Sequence, residues 1–194
     1  IESTATGTLS AMRGLVNSQS DEGNQVTIIY SKRFDTPENL NEYFNANVNL
    51  INIQMSSAFN VLTSFFKIYK YIISFNPNYV FLASSWAGFI GRIAGLFVRK
   101  KILFFYIPHC ISYIRKDIGY LKKFFFILLE LIASLKKCVI IACSKSELKQ
   151  IRKYIKSSPS YLVENAVEND FLKLQQPENK NIKSIITVGS IRDQ

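Results

Sequence analysis

The sequence has few cysteines and no long apolar run, and both shortages exclude classes of protein. No apolar run exceeds six residues, and one such run, residues 124–129, ends at Glu130. A membrane-spanning helix needs about 20 consecutive apolar residues, so no membrane span is expected. Residues 1–4 have neither the basic region nor the apolar core of a secretory signal peptide. With 194 residues, of which 48% are hydrophobic, the chain is long enough to bury a core of its own as one domain.

The three cysteines, Cys110, Cys138 and Cys143, are odd in number and match no spacing typical of a metal site or a redox pair. Stable disulfides occur mainly in oxidising compartments, so these residues predict buried free thiols in the reducing cytosol. The single histidine, His109, has no second ligand at a metal-like spacing. We therefore expect no metal and no other cofactor.

Acidic residues are scarce between residues 99 and 156. Between Arg99 and Lys156 there are 14 Lys and Arg against 3 acids, a net charge of +11, whereas the rest has 10 basic and 11 acidic residues. Such a concentration of positive charge predicts a polyanionic partner, for which membrane lipid and nucleic acid are the general candidates. No nucleic-acid-binding motif accompanies the charge, so no nucleic acid is expected as a partner.

Apolar strand-like segments alternate with segments of helical periodicity along most of the chain. The predicted strands are 26–30, 48–53, 79–83, 101–106, 138–143 and 161–163. The predicted helices are 7–21, 60–74, 87–98, 117–135 and 145–155, and the polar stretch 31–47 is expected to be a loop. This alternation predicts an α/β fold with a doubly wound parallel sheet and right-handed crossovers.

The composition of the sequence changes near the end of the chain. Residues 173–181 are polar and contain Pro177, which predicts a linker, and residues 182–188 read as a new strand. A strand needs a helix or further strands to pack against, so we expect a second domain to follow. The predicted division is therefore a domain at 1–172, a linker at 173–181 and the first strand of a truncated second domain at 182–194.

Small, polar or ring-bearing residues follow three of the predicted strands. Ser84-Ser85-Trp86 follows 79–83, Pro108-His109-Cys110 follows 101–106, and Ser144 begins a capping-box pattern after 138–143. In an open parallel sheet, ligands bind outside the carboxyl ends of the strands. These corners therefore predict a binding site at that edge of the sheet.

Five segments also resemble a known family. SSWAGFIGR, YIPHC, ACSKSE, LVENAV and TVGSIRDQ occur in the order and spacing typical of the first domain of family 4 glycosyltransferases, most similar to bacterial enzymes of capsule and surface-polysaccharide assembly. The resemblance implies the Rossmann-like amino-terminal half of a GT-B enzyme, with its carboxyl-terminal domain missing. It also implies that the parent enzyme is a retaining glycosyltransferase that moves a sugar from a nucleotide-sugar donor to a lipid-linked saccharide or oligosaccharide acceptor. It would act without a metal, in the cytoplasm at the inner face of the cell membrane.

In this family the first domain shapes the acceptor side and the second domain holds the nucleotide. The resemblance thus implies an acceptor-side module with little or no activity of its own, in which His109 is the catalytic residue and hydrogen-bonds to the transferred sugar or to the acceptor. Cys110 stands where the family usually has glycine. The predicted acceptor-side residues are Gly7, Thr8, Ser84, Ser85, Trp86, Arg92, Ser144, Glu147 and Asn165.

Each of these residues also has a purely structural interpretation. Gly7 and Thr8 either present helix amide groups to an anion or simply begin a helix. Trp86 is either an exposed platform for a sugar ring or a core residue. Arg92 either reaches a phosphate or lies on a solvated helix face. Ser144 and Glu147 fit an ordinary helix cap, and Asn165 fits a turn.

The helix predicted at 117–135 carries the membrane hypothesis. At 100° per residue, Lys122, Lys123, Glu130 and Lys137 share one arc, and Phe126 falls inside it. An aromatic ring among lysines suits the headgroup region of an anionic bilayer, whereas the alternative is an ordinary exposed helix. A non-catalytic α/β domain that docks on a membrane or a partner through its basic face is therefore the second functional hypothesis.

Overall fold

The computed structural model describes residues 7–33, 36–55 and 58–165. The strands are β1 (Thr27–Tyr30), β2 (Asn49–Asn52), β3 (Tyr79–Ala83), β4 (Leu103–Ile107), β5 (Val139–Ala142) and β6 (Ser160–Leu162). The helices are α1 (Gly7–Asp21), α2 (Ala58–Phe75), α3 (Ser85–Leu96), α4 (Tyr120–Ala133) and α5 (Lys145–Tyr154), with short 3-10 helices at Leu40–Tyr43 and Ser112–Ile114.

The architecture is α/β, with parallel strands in two sheets. The larger sheet has the order β3-β4-β5-β6, and β1 pairs with β2 in a second, two-stranded sheet. Consecutive parallel strands need a crossover connection, and α3, α4 and α5 supply one between each pair of neighbours in the larger sheet. This arrangement is compatible with a Rossmann-like fold. The predicted linker and the strand expected at 182–188 lie outside the described residues.

Close packing of α3 on the larger sheet depends on two glycines. A Cβ atom on Gly88 would lie 2.2 Å from the ring of Tyr106, and one on Gly91 would lie 2.3 Å from Leu82 Cδ2. A side chain at either position would force the helix or the facing Tyr106 or Leu82 side chain to shift. Glycine at both positions therefore permits this close contact.

Side-chain alternation divides the larger sheet into two faces. Leu82, Phe104, Tyr106 and Ile140 point into the main core, where the helices cover them. On the other face, α1 covers the carboxyl ends of the strands, because Met12 packs against Ala83 and Ile107. The amino-terminal half of that face is open, with Tyr79, Phe81 and Leu103 exposed.

Arg92 is fully buried in the core, so the expectation that it reaches a phosphate or lies on a solvated face is wrong. Its Nε donates to the Gly88 carbonyl oxygen at 2.8 Å, and its Nη2 donates to Glu130 Oε2 at 2.6 Å. The guanidinium also lies 4.1 Å from the centre of the Tyr106 ring, whose hydroxyl donates to Glu130 Oε1 at 2.8 Å. Arg92 therefore ties α3 to α4 and β4.

The exposed face of α4 differs from the predicted lysine arc. Glu130 is buried, Phe126 is half-buried against the core, and Lys137 lies beyond the end of the helix. Only Lys122 and Lys137 of the predicted face are exposed, whereas Lys123 is half-buried. The prediction of Phe126 as the membrane-facing ring is wrong, because the ion pair with Arg92 turns the Glu130 side of the helix inwards.

The solvent-facing side of α4 is instead apolar. A run of large hydrophobic side chains, here called the α4 stripe, recurs at helical spacing opposite Glu130 and continues just past the helix end. It consists of Leu121, Phe124, Phe125, Leu128, Leu131, Ile132 and Leu135, all at least 40% exposed. Exposed apolar patches of this kind mark contact surfaces in proteins.

The three cysteines are free, as predicted, but only one of them is buried. Cys138 lies in the core, Cys143 is half-buried and Cys110 is exposed. Cys143 follows β5 and Cys110 belongs to the corner after β4, so both lie at the carboxyl edge of the larger sheet. The prediction that all three thiols are buried is therefore wrong for Cys110 and Cys143, because residues at this edge are partly open to solvent.

Candidate functional site

The carboxyl ends of β3, β4, β5 and β6 meet along one edge of the larger sheet, because neighbouring strands are all parallel. Backbone bonds join the corners that follow them. The Ser84 N–H donates to the Ile107 carbonyl oxygen at 3.1 Å, and the Val163 N–H donates to the Ala142 carbonyl oxygen at 2.9 Å. The predicted corners are therefore gathered into one surface, called here the corner edge.

The corner after β3 uses both of its serines to hold the backbone. Ser84 is buried with φ 103°, and its Oγ accepts a hydrogen bond from the Ala87 N–H at 3.3 Å, which caps α3. Ser85 Oγ accepts from the Ser112 N–H at 3.2 Å and so joins α3 to the segment after β4. These hydroxyls act first as structural acceptors, and the prediction that Ser84 contacts an acceptor molecule does not fit its burial.

Trp86 follows the two serines and is 39% exposed. Its indole meets the Phe89 ring edge to face, with 6.4 Å between ring centres. The core interpretation of this residue is therefore wrong. The indole therefore has one aromatic neighbour and is partly exposed, and an exposed indole can stack on a sugar ring.

His109 and Cys110 form the sharpest corner of the edge. Both residues have positive φ, 48° for His109 and 88° for Cys110. This backbone region favours glycine, so the glycine that the family usually has at position 110 would suit such a corner. Here Cys110 adopts the same conformation. The half-buried His109 ring lies against β5, with Nδ1 3.5 Å from Cys143 Sγ.

The imidazole of His109 keeps one unused polar atom. Its Nε2 is buried and has no hydrogen-bond partner among the described residues. Burial lowers the pKa of His109 below its usual value, although the nearby Glu147 carboxylate opposes this effect. The ring is therefore neutral at pH 7, and it can give or accept one hydrogen bond at Nε2.

Cys143 beside His109 is not an activated nucleophile. Burial and the Glu147 carboxylate raise the pKa of its thiol to about 11, so the Cys143–His109 contact joins a thiol to a neutral imidazole. A catalytic thiolate needs the opposite shift of its pKa. Within the described part of the chain, no three His, Cys, Asp or Glu side chains are grouped as metal ligands.

Glu147 is the residue whose role the sequence missed. Ser144 Oγ accepts from the Glu147 N–H at 3.2 Å, so the serine half of the predicted capping box is confirmed. The Glu147 carboxylate, however, is buried and reaches across to the β4 corner. Its Oε1 accepts from the N–H groups of Cys110 and Ile111, at 2.9 and 3.0 Å. Its carboxylate oxygens are thereby engaged with the chain, and the expectation that Glu147 binds an acceptor molecule does not fit this geometry.

The remaining predicted residues are Gly7, Thr8 and Asn165. Gly7 and Thr8 are the first two residues of α1. Asn165 is exposed and follows β6, at the end of the described chain. Trp86 lies in α3 just after β3, the outer strand of the larger sheet, and His109 follows β4, the next strand.

Comparison with known protein families and with curated proteins finds no match to this chain. In addition, no helix of residues 7–33, 36–55 and 58–165 combines the length and apolarity needed to cross a bilayer.

Proposed function

We propose that this chain is the acceptor-side domain of a retaining GT-B glycosyltransferase of surface-polysaccharide assembly, as the motif resemblance implies. The observation that carries the proposal is His109, which lies at the carboxyl edge of four parallel strands with a buried Nε2 that has no partner among the described residues. A buried polar atom without a partner is costly, so a bound hydroxyl group that completed this hydrogen bond would be favoured.

A saccharide suits two features of this edge, the exposed Trp86 ring and the buried His109 Nε2 atom. Trp86 offers an apolar ring face for the C–H side of a pyranose, and His109 Nε2 offers one hydrogen bond to a sugar hydroxyl. A neutral imidazole stabilises developing charge on the transferred sugar through that bond, without help from a metal. The donor, a nucleotide-sugar, would bind mainly to a second domain beyond the linker predicted at 173–181.

A membrane-docking function, the second hypothesis, is favoured by the α4 stripe and its surrounding charge. Of the three acids between Arg99 and Lys156, Glu130 and Glu147 are buried, and the third, Asp117, is paired with Arg115. Basic side chains therefore dominate the surface around the stripe. An apolar stripe bordered by lysines fits the headgroup boundary of an anionic bilayer. We propose that it holds the domain at the inner face of the cell membrane, where a lipid-linked acceptor is reached.

Trp86 is the single tryptophan of the sequence, so its fluorescence reports on the site directly. We expect lipid-linked saccharides or oligosaccharides to change this fluorescence in a saturable way, and His109→Asn to weaken the response at least tenfold. Nucleotide-sugars added with the acceptor should give no turnover by the 194-residue chain. Trp86 fluorescence that does not change with any of these saccharides would contradict the proposal. Sugar transfer by the 194-residue chain at the rate of a complete enzyme would also contradict it.

A further inference from the structure

We propose that Glu147 positions the His109 imidazole by holding the corner after β4 in its left-handed conformation. Two consecutive N–H groups, those of Cys110 and Ile111, donate to one oxygen of its carboxylate at 2.9 and 3.0 Å. The other oxygen accepts from the Cys143 N–H at 2.9 Å. One buried side chain thereby binds the corners after two neighbouring strands.

The corner needs such a restraint because neither residue at its tip is glycine. His109 has φ 48° and Cys110 has φ 88°, a region that side chains with a Cβ atom rarely adopt. Strained backbone of this kind persists only where the surroundings enforce it. Hydrogen bonds to an ionised acceptor are roughly twice as strong as neutral ones, and the corner has two of them to the same oxygen.

Glu147 is itself held rigidly. It lies in the first turn of α5, where its own N–H donates to Ser144 Oγ at 3.2 Å, and it is 4% exposed. Its second oxygen fixes the backbone of Cys143, whose sulfur contacts His109 Nδ1. The same carboxylate therefore sets the backbone that carries the imidazole and the surface against which the imidazole lies.

The positioning itself is a property of the folded chain, and only its consequence for catalysis rests on the proposed function. Because His109 is the single histidine, NMR of the labelled imidazole reports on this residue alone. The test compares Glu147→Ala, Glu147→Gln and the double variant Glu147→Ala with Cys110→Gly. Glu164→Ala, which removes an exposed glutamate, is the matched control.

The sign of the change in the His109 pKa separates positioning from simple electrostatics. Glu147 raises this pKa through its charge, so removal of the charge alone would lower it further. If the corner opens instead, the imidazole becomes hydrated and its pKa rises towards the usual value of about 6.5. We expect the rise in Glu147→Ala, together with amide exchange at Cys110 and Ile111 that is faster by roughly tenfold or more.

The double variant tests the role of backbone strain. Glycine adopts φ 88° without penalty, so Cys110→Gly should return the His109 pKa towards its wild-type value in the Glu147→Ala background. Glu147→Gln, which keeps one acceptor oxygen, should show a smaller loss of amide protection and serves if Glu147→Ala does not fold. A lower pKa with unchanged amide exchange, or no effect of Cys110→Gly, would overturn the proposal. None of these measurements requires sugar transfer, so they stand or fail independently of the proposed enzyme activity.

Discussion

Arg92 Nη2 lies 2.6 Å from Glu130 Oε2, and the two side chains are 0% and 6% exposed. A buried ion pair of this kind joins α3 to α4 across 38 residues of sequence. It removes from the surface the arginine that the sequence predicts either at a phosphate or on a solvated helix face. It also decides which side of α4 faces the core, and therefore which side is left for a partner.

Removal of one member of this pair is expected to be strongly destabilising. Arg92→Met alone leaves the Glu130 charge buried without its partner, which typically costs about 3–5 kcal/mol in the free energy of unfolding. Arg92→Met combined with Glu130→Gln removes both charges and keeps an acceptor for the Tyr106 hydroxyl. Urea unfolding should show a smaller loss for the double variant than for Arg92→Met. Equal losses would mean that packing of the arginine, rather than its charge, is what matters.

A methyl group at Gly88 is expected to disturb the contact between α3 and the sheet. The Cβ of Gly88→Ala would lie 2.2 Å from the Tyr106 ring, and overpacking of this kind typically costs about 1–3 kcal/mol. Gly14→Ala is the matched control, since Gly14 is an exposed position in α1 with no atom within 4 Å of the added Cβ. That variant should gain about 0.5–1 kcal/mol from its helix preference. Thermal unfolding that shifts both variants in the same direction would contradict the packing argument.

Acidification is expected to destabilise the fold through His109. Burial lowers the pKa of this residue in the folded state, so the unfolded chain binds more protons between that pKa and the usual value near 6.5. Stability contributed by the neutral imidazole is therefore present above about pH 6.5 and is lost as the pH falls through the folded-state pKa. His109→Asn, which tolerates a positive φ, should have a flatter dependence on pH. Unfolding midpoints measured between about pH 5 and pH 7 would show identical slopes if His109 made no contribution.

Membrane binding is expected to depend on the α4 stripe more than on the predicted lysine arc. Leu121→Glu with Phe124→Glu places charge on the stripe and should abolish co-sedimentation with phosphatidylglycerol vesicles. Lys122→Glu should weaken binding more mildly, since each basic residue near an anionic leaflet contributes about 1 kcal/mol. High salt should reduce binding, because it screens this attraction.

Leu62→Glu is the matched control for the stripe, because Leu62 is a comparably exposed leucine on α2. It should bind vesicles like the wild type. Loss of vesicle binding in this control, or its retention in the stripe variant, would contradict membrane binding through the α4 stripe. The stripe would then be assigned to contact with another protein or with another part of this protein.

The sequence alone determined which segments form strands and helices and which polar residues follow the strands. Short strands alternate with amphipathic helices, and this pattern is local, so β3 and α1 were predicted with the bounds that the structure has. The prediction that polar corners gather at one edge also holds, because parallel strands necessarily bring their carboxyl ends together.

Only the tertiary structure decided which side chains those corners and helices turn inwards. α4 is apolar on both sides, so its periodicity could not show that the Glu130 side packs on Arg92 and that the Phe124 side remains exposed. The residues next to Glu147 likewise predict only a helix cap. The Cys110 N–H, which donates to the Glu147 carboxylate, lies 37 residues away in the sequence. Hydrogen bonds and ion pairs between distant residues depend on the spatial order of strands and on burial, and no local pattern in the sequence encodes them.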